Sequence, residues 1–260
     1  MPVLPDALEH WDALQARLQG APVAVFLDYD GTLTPIQARP QDAIMDPSMR
    51  EAVQHLAAQH FVAIVTGRGL DDARALVGIP TLAYATNHGL EIEGPDFRFE
   101  PDPTLRPTFA SLRERVDALV AGVEGVVVEH KGLSIAIHVR LVDPAAAAQI
   151  EAGIDEIIAE HPSLRKGTGK KVFELRPTLD WHKGAAVRWL SERLATTTGG
   201  TAPVALFIGD DLTDEDALAQ VHEHGVGIFV GQPQWDTAAR YGLADPAAVE
   251  VFLRRLVGRG

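Results

Sequence analysis

Two aspartates, Asp28 and Asp30, stand one residue apart directly after the apolar run 23–27. Carboxylates this close together repel each other and are costly to remove from water, so something must compensate for them. A second acidic group, Asp210 with Asp211 and Asp214, follows another apolar run. Ligands of open α/β sheets bind beyond the carboxyl ends of the strands, so we expect these carboxylates to converge. With no cysteine in the chain, an oxygen-only site favours Mg²⁺.

Two further residues fit a site that receives a phosphate. Lys183 lies at the start of a predicted helix, where the helix dipole disfavours a cation. A lysine in that place is understandable if it neutralises a phosphate beside the carboxylates. Thr66 follows a third apolar run, and its hydroxyl together with nearby backbone N–H groups could hold phosphoryl oxygens.

Strands and helices alternate in the first third of the chain and again after Pro177. Continuous apolar runs, typical of buried parallel strands, occur at 23–27, 61–65, 81–85, 203–208 and 226–230. Helical spacing or capping residues predict helices at 5–19, 47–59, about 184–195, after Arg68, from Thr213 and from Asp245-Pro246. The alternation predicts a Rossmann-like, doubly wound α/β sheet.

The middle of the chain has a different pattern. It predicts a hairpin (90–93 and 97–99), a helix (104–121), strands at 126–130 and 134–140, a helix from Pro144 to before Pro162, and a second hairpin (164–168 and 171–176). This order suits a small α+β unit inserted into the sheet domain. We therefore expect a discontinuous core of residues 1–92 and 178–260 and an inserted cap of residues 93–177, placed where it could act as a lid.

Composition excludes several classes of protein. The 260 residues are 46% hydrophobic, enough for a substantial core, and the net charge of −13 argues against general nucleic-acid binding. No apolar run approaches the ~18 residues of a membrane span. The N-terminus lacks a basic stretch followed by an apolar one, so no secretory signal is predicted. We expect a cytoplasmic, monomeric protein that acts on a small molecule without a membrane or nucleic-acid partner.

Four motifs occur in a fixed order: DYDGT at 28–32, TGR at 66–68, Lys183 and GDDLTDED at 209–216. Taken singly, each could be an ordinary turn or helix cap. In this order they resemble the motifs of the haloacid dehalogenase-like (HAD) phosphatases over roughly two thirds of the chain, and the insert resembles that superfamily's α/β cap. The segments DYDGTLTP, NHGLE and GDDLTDEDAL are similar to those of the trehalose-6-phosphate phosphatases within this superfamily.

The resemblance implies a role for each motif. Asp28 would attack phosphorus and form an aspartyl-phosphate, and Asp30 would act as general acid and then as general base. The Asp28 carboxylate, the Asp30 backbone carbonyl and Asp210 would hold Mg²⁺. Asp214 would orient Lys183 or the surroundings of the metal, and whether Asp211 touches the metal stays open. Thr66 and Lys183 would complete the catalytic group, and the core residues expected to bind the substrate are Thr66, Gly67, Arg68, Asn87, His88 and Gly89.

The expected sugar contacts come from the insert. They are Glu129, Lys131, Arg140 and Glu174, by resemblance to the trehalose-6-phosphate phosphatase cap. Because the first three alternate through a predicted hairpin, they could instead form its solvated face. His88 could likewise be a turn histidine. One departure is the pair Trp181-His182, which stands where a glycine and an acidic residue are common ahead of the family's lysine.

The function that the resemblance implies is Mg²⁺-dependent hydrolysis of trehalose 6-phosphate to trehalose and phosphate. Three alternatives stay open: a phosphatase for sucrose 6-phosphate or mannosyl-3-phosphoglycerate, a phosphosugar mutase, and a non-catalytic phosphosugar sensor. The sensor is disfavoured by the presence of all four residues Asp28, Asp30, Lys183 and Asp210, since pure binding needs neither a nucleophile nor an acid and base.

Overall fold

The computed structural model describes residues 4–37, 39–169, 171–197 and 199–258. The chain divides into two compact units, of which the first comprises Met1–Phe99 with Trp181–Gly260 and the second comprises Glu100–Asp180. The chain therefore leaves the first unit once and returns to it once. The boundaries lie a few residues from those expected from the sequence.

The strands and helices are numbered here in chain order. The strands are β1 Val23–Leu27, β2 Phe61–Val65, β3 Ala83–Thr86, β4 Glu91–Gly94, β5 Phe97–Phe99, β6 Val127–His130, β7 Ile135–His138, β8 Leu164–Gly169, β9 Val172–Pro177, β10 Val204–Gly209, β11 Val226–Val230 and β12 Tyr241–Leu243. The α-helices are α1 Trp11–Arg17, α2 Pro47–Ala57, α3 Leu70–Val77, α4 Leu105–Leu119, α5 Pro144–Glu160, α6 Lys183–Thr197, α7 Glu215–Val221 and α8 Pro246–Val257. Three short 3₁₀ helices accompany them at Pro40–Asp42, Asn87–Gly89 and Leu212–Asp214.

The first unit is built on one eight-stranded sheet in the order β12-β11-β10-β1-β2-β3-β4-β5. The strands from β12 to β3 run parallel, whereas β4 and β5 continue the sheet antiparallel. All five residues of β1 are buried, as are all five of β11. This agrees with strands that are covered on both faces, and it confirms the doubly wound sheet predicted from the sequence.

Two hydrophobic clusters fill the two sides of this sheet. Successive residues of a strand point to opposite faces, and β1 shows the alternation clearly. Val25 and Leu27 belong to the cluster that contains the apolar residues of α1, α2, α3 and α8. Ala24 and Phe26 belong to the cluster that contains those of α6 and α7. The central strands are thus held between two helical layers, and their carboxyl ends are fixed at one edge.

Three features of the first unit differ from the expectation. Helix α1 begins at Trp11 rather than near residue 5, because Asp6 forms a bridge with Gly242 and its carboxylate accepts from the Leu8 N–H. The hairpin β4–β5 pairs with β3 in the large sheet instead of belonging to the insert. Strand β12 has no counterpart in the prediction, since a three-residue Tyr-Gly-Leu segment has too little periodicity to be seen.

The second unit contains one antiparallel sheet in the order β6-β7-β9-β8. Its apolar face contributes Ile135, Ile137 and Leu175 to a small core, and α4 and α5 supply buried residues of their own. The Asp143 carboxylate caps the first turn of α5 by accepting from the Ala145 N–H. Among the described residues of the whole chain, no helix is both long enough and apolar enough to cross a membrane.

Candidate active site

Four neighbouring strands end at residues that the sequence singled out. Asp210 follows β10, Asp28 follows β1, Thr66 follows β2 and Asn87 follows β3. Because these strands are parallel and adjacent, all four residues come to the same edge of the sheet. The Asp28 N–H donates to the Ile208 carbonyl at 2.9 Å, and the Thr66 N–H donates to the Ala85 carbonyl at 2.9 Å, so the sheet's hydrogen bonding extends to the site.

Lys183 is buried between two carboxylates. Its Nζ donates to Asp28 Oδ1 at 2.7 Å and to Asp214 Oδ1 at 2.7 Å. The lysine is 3% exposed, and Asp28 and Asp214 are 5% and 0% exposed. Burial alone would lower the lysine pKa, but the adjacent Asp214 and Asp28 outweigh it and raise that pKa above its ordinary value. Lys183 is therefore a fixed cation at the first residue of α6.

Asp214 has both carboxylate oxygens in use. Besides the bond from Lys183 to Oδ1, its Oδ2 accepts from the N–H groups of Asp210, at 3.1 Å, and Asp211, at 3.0 Å. The Asp211 carboxylate accepts from the Leu212 N–H at 2.6 Å and completes a capping box with Asp214. Asp214 therefore holds Lys183 and the loop after β10, and Asp211 serves as a local cap.

Asp210 lies directly against the loop that carries Asp28. A Cβ atom at Gly31 would collide with the Asp210 carboxylate, and Gly31 has φ +83°, a conformation that favours glycine. The glycine of the DYDGT motif thus makes room for the carboxylate of a second motif. Asp210 Oδ1 is buried and has no hydrogen-bond partner among the residues that the structure describes, which is costly unless another group completes the site.

These carboxylates fit a divalent metal ion. Asp28, Asp210 and Asp214 offer oxygens that lie within 4.8 Å of one another. Three carboxylates face one ammonium group, that of Lys183, so the ionised cluster carries two more negative than positive charges. Burial, followed by Asp214 and Asp210, raises the pKa of Asp28 well above its ordinary value despite the nearby Lys183. An ion with oxygen ligands would relieve this repulsion and satisfy Asp210 Oδ1.

The pKa of Asp210 leads to a testable effect on stability. Burial, followed by Asp214 and Asp211, raises this pKa from 3.8 to about 7. The folded state therefore binds the proton more tightly than the unfolded state, so ionising Asp210 destabilises the metal-free protein as the pH rises from about 4 through 7. We expect Asp210→Asn to stabilise the metal-free protein at pH 8 by about 1–3 kcal/mol and to do so much less at pH 5.

Denaturant unfolding in excess chelator at the two pH values would measure this effect. Asp236→Asn is the control, because Asp236 is an exposed aspartate of the same unit and is not one of the groups that raise the Asp210 pKa. A stability gain that is the same at both pH values, or no gain at pH 8, would contradict the assignment of a buried, repelled carboxylate at Asp210.

The loops after β2 and β3 are joined to each other. The His88 N–H donates to the Thr66 carbonyl at 2.9 Å, and the Asn87 N–H donates to the Arg68 carbonyl at 2.9 Å. The His88 imidazole packs over Gly67, where a Cβ atom would come within 2.7 Å of the ring. Asn87 and His88 have φ of 51° and 59°, a left-handed conformation that is unusual for residues other than glycine. Such local strain is common at functional sites, and the sequence did not reveal it.

Arg68 is directed at Asp30. Its Nε donates to Asp30 Oδ2 at 2.6 Å, and its Nη2 donates to Asp30 Oδ1 at 2.7 Å. The Arg68 side chain is only 8% exposed, whereas the Asp30 side chain is 39% exposed. The sequence predicted both residues for the site but did not predict that they pair.

The pair Trp181-His182 has a structural role at the start of α6. The Trp181 Nε1–H donates to the Gly89 carbonyl at 2.7 Å, which connects the chain just before Lys183 to the turn at Asn87–Gly89. His182 Nδ1 accepts from the Ala185 N–H at 3.4 Å, in the manner of a helix cap. These two contacts explain how Trp181 and His182 can position Lys183 although they differ from the glycine and acidic residue that are common there in the HAD phosphatases.

The expected sugar contacts Glu129, Lys131 and Glu174 lie together on the second unit. Glu129 and Glu174 flank Ala136 in one cross-strand row, which places them on the same face of the small sheet. Lys131 Nζ lies 3.4 Å from Glu174 Oε1 and 3.8 Å from Glu129 Oε2. The opposite face of this sheet is apolar, so this is its polar face.

The polar face contains three residues that the sequence analysis missed as site residues. Ser134 Oγ donates to Glu174 Oε1 at 3.2 Å, Arg176 Nε lies 3.0 Å from Glu174 Oε2, and His138 Nε2 lies 3.3 Å from Glu129 Oε2. Strand alternation would have found them, because Arg176 lies two residues from Glu174, and Ser134 and His138 lie two residues to either side of Ala136, which pairs with Glu129 and Glu174. Arg140 lies beyond the end of β7, in a turn where its side chain is exposed.

Comparisons with known proteins extend over nearly the whole chain. A family model described as Trehalose-phosphatase matches residues 26–247. The chain is 37% identical over 281 residues to "Probable trehalose-phosphate phosphatase 9" of Oryza sativa subsp. japonica, covering 97% of this chain and 74% of that protein. It is 34% identical over 266 residues to "Trehalose-phosphate phosphatase B" of Arabidopsis thaliana, with 97% and 71% covered. A solved structure of Aspergillus fumigatus trehalose-6-phosphate phosphatase matches with 26% identity and a TM-score of 0.67, covering 100% of both chains.

Proposed function

The chain belongs to the trehalose-phosphatase family, and we propose that it hydrolyses trehalose 6-phosphate to trehalose and inorganic phosphate, the last step of trehalose biosynthesis. One structural observation supports the proposal independently of the family match. Lys183 holds two buried carboxylates, Asp28 and Asp214, beside the unsatisfied Asp210 at the carboxyl ends of two neighbouring parallel strands. A nucleophile, a fixed cation and a metal site thus lie within a few ångströms of one another.

In the first step, a carboxylate oxygen of Asp28 attacks phosphorus. The bond between phosphorus and the sugar oxygen breaks, and its electron pair stays on that oxygen. Asp30, two residues further on, transfers its proton to the departing oxygen, so the sugar leaves as a neutral alcohol. Lys183 donates hydrogen bonds to both Asp28 and Asp214. It therefore holds the Asp28 carboxylate in one orientation, and its positive charge offsets the negative charge of the phosphoryl group.

In the second step, water attacks the phosphorus of the aspartyl-phosphate. Asp30, now ionised, accepts the proton of that water, and the bond between phosphorus and the Asp28 oxygen breaks. Phosphate is released, Asp28 regains its carboxylate and Asp30 is protonated again, so each turnover consumes one water molecule. The hydroxyl of Thr66 and the backbone N–H groups of the TGR loop are suited to bind the phosphoryl oxygens.

We propose Mg²⁺ as the metal, held by the Asp28 carboxylate, the Asp30 backbone carbonyl and Asp210. The supporting observations are the oxygen-only donors, the excess negative charge and the unpartnered Asp210 Oδ1. When bound, the ion supplies positive charge that lowers the repulsion between the carboxylates and an anionic substrate. Asp214 is not needed as a ligand, because Lys183 and two backbone N–H groups already occupy its oxygens.

Phosphate release from a panel of sugar phosphates tests the proposal. With Mg²⁺ present, we expect kcat/KM to be highest for trehalose 6-phosphate, above sucrose 6-phosphate, mannosyl-3-phosphoglycerate and glucose 6-phosphate. Excess chelator should stop the reaction, and added Mg²⁺ should restore it. Full activity in chelator would remove the metal from the proposal. Transfer of phosphate to a second position of the sugar, without release, would identify a mutase instead.

Sugar recognition is proposed to come from the polar face of the second unit. Glu129, Lys131 and Glu174 carry several hydrogen-bonding groups on one face of the sheet. Such groups suit a ligand with many hydroxyls, and a substrate that lacks its second ring would leave some of them unpaired. This difference provides a physical basis for discriminating trehalose 6-phosphate from glucose 6-phosphate.

Replacing Glu129, Lys131 or Glu174 with alanine should lower kcat/KM for trehalose 6-phosphate by about 10- to 100-fold, the equivalent of about 1–3 kcal/mol. The same variants should hydrolyse p-nitrophenyl phosphate nearly as well as the unaltered protein, because this substrate has no sugar. Glu156→Ala, an exposed position on α5 away from the polar face, is the control and should leave both substrates unaffected. An equal loss for both substrates would show that the polar face does not determine specificity.

A further inference from the structure

We propose that Arg68 is a positioning residue that fixes the direction of the Asp30 carboxylate, and that Asp72, which belongs to none of the four motifs, holds Arg68 in place for this task. The inference rests on the proposed function, since it takes Asp30 as the acid and base of the phosphatase reaction. It assigns a role to the arginine side chain of TGR and a role to a residue of α3.

The contact between Arg68 and Asp30 is of the kind that sets orientation. Two parallel hydrogen bonds, of 2.6 and 2.7 Å, join the guanidinium edge to both carboxylate oxygens. A two-point contact fixes the plane of a carboxylate as well as its distance, which a single bond from an ammonium cannot do. Asp30 is 39% exposed, so without this contact its side chain would be free to change rotamer.

Arg68 itself is held from three sides. Its Nη1 donates to Asp72 Oδ2 at 2.6 Å, and its Nη2 donates to the Pro40 carbonyl at 2.8 Å. The guanidinium also stacks over the Tyr29 ring, with 5.3 Å between the guanidinium carbon and the ring centroid. Asp72 lies in the first turn of α3, four residues after Arg68. These contacts of Arg68 with Asp72, Pro40 and Tyr29, called the Arg68 clamp below, connect α3 and the 3₁₀ helix Pro40–Asp42 to Asp30, the residue proposed to transfer the proton.

The same contacts make Arg68 unsuitable as a phosphate-binding side chain. Each of its three guanidinium nitrogens already donates to a carboxylate, and two of the bonds go to Asp30. The Asp30 carboxylate does not belong to the group of Asp28, Asp210 and Asp214 that gathers within 4.8 Å among the described residues. Arg68 therefore acts on a carboxylate that the metal cluster does not hold, and it reaches the reaction only through that carboxylate.

Positioning of Asp30 can be separated from a general structural role by varying the leaving group. Protonation by Asp30 is needed when a basic sugar oxygen departs, and it contributes little when p-nitrophenolate departs. The parameter kcat/KM reports only on steps up to the first irreversible one, which here is departure of the leaving group. A misdirected Asp30 should therefore make log(kcat/KM) depend more steeply on leaving-group pKa, whereas a damaged fold should lower all values together.

The experiment measures kcat/KM with Mg²⁺ for trehalose 6-phosphate and for a series of aryl phosphates from phenyl to p-nitrophenyl. We expect Arg68→Met to reduce kcat/KM for trehalose 6-phosphate roughly 100-fold and for p-nitrophenyl phosphate by less than about threefold. Asp30→Asn should show the same pattern with a larger amplitude. Arg68→Lys, which keeps the charge but cannot make the two-point contact, should resemble Arg68→Met rather than the unaltered protein.

Asp72 and its neighbour Asp71 provide a matched pair. Both are exposed acidic residues in the first turn of α3, and Asp72 is the one that contacts Arg68. Asp72→Ala should steepen the leaving-group dependence in the same direction as Arg68→Met by a smaller amount. Asp71→Ala, which removes the same charge from the same helical turn, should leave the dependence unchanged.

The outcomes separate this inference from the proposed function. Failure of the unaltered protein to release phosphate from any of these substrates would overturn the proposed function. If the unaltered protein is active, a uniform loss across all leaving groups in Arg68→Met and Arg68→Lys, or no loss, would overturn the positioning role alone. Faster hydrolysis of trehalose 6-phosphate by Arg68→Met would also overturn it, by showing that the pair restrains Asp30 from reacting. Equal behaviour of Asp72→Ala and Asp71→Ala would remove Asp72 from the Arg68 clamp.

Discussion

Replacing Asp28 with asparagine is expected to reduce phosphate release from trehalose 6-phosphate by roughly four orders of magnitude or more, as when the nucleophile of a covalent catalyst is removed. An amide cannot accept the phosphoryl group as a carboxylate does. The fold should persist, because the asparagine has the same shape, its Oδ1 can still accept from Lys183 Nζ, and Lys183 keeps its contact with Asp214. Steady-state phosphate release, together with thermal unfolding, measures both parts of the prediction.

Trapping the intermediate provides the decisive control for this variant. Rapid acid quench followed by intact mass measurement should find a phosphorylated species in the unaltered protein and none in Asp28→Asn. Beryllium fluoride, which resembles a phosphoryl group on a carboxylate, should inhibit the unaltered protein. A folded Asp28→Asn protein with near-normal turnover would rule out the aspartyl-phosphate mechanism.

Replacing Lys183 with methionine should have the largest effect on stability as well as abolish turnover. Methionine keeps the length of the side chain but leaves Asp28 and Asp214, both buried, without the ammonium that joins them. Removing one partner of a buried ion pair costs about 3–5 kcal/mol, because a charge is left uncompensated. Urea unfolding in chelator at pH 8 measures this loss, which should shrink at pH 5, because burial raises the pKa of Asp28 and so favours its uncharged form at lower pH.

Lys166→Met is the matched control for the Lys183 variant. Lys166 also lies between two carboxylates, those of Glu151 and Asp155, but these side chains are 43% and 57% exposed. Solvent screens exposed ion pairs, so this substitution should cost at most about 1 kcal/mol. Similar losses in the free energy of unfolding for the two variants would contradict the view that the Lys183 ion pairs stabilise the protein strongly because they are buried.

The order of strands and helices, and the place of the motifs at strand ends, follow from the sequence alone. Apolar runs such as 23–27 and 61–65 are short, continuous and bounded by polar residues, and each became a strand with those bounds. Helices α2 and α5 begin at a proline preceded by a capping aspartate. These signals act over a few neighbouring residues, so the sequence shows them directly. Placement of Asp28, Thr66 and Asp210 at one edge then follows from the parallel sheet.

The tertiary structure decided which charged groups meet. Arg68 pairs with Asp30, which is 38 residues away, and Lys183 pairs with Asp28, which is 155 residues away. The sequence indicated that these residues belong to one site. Which two of them pair depends on the relative positions of several loops that are far apart in the chain, and no short-range sequence pattern specifies those positions. The same reason explains why β4 and β5 joined the large sheet: hydrogen bonding of β4 to β3 is a contact between strands, and the hairpin alone is compatible with either unit. Local chemistry therefore determined the parts of this enzyme, and long-range packing determined which carboxylate each cation holds.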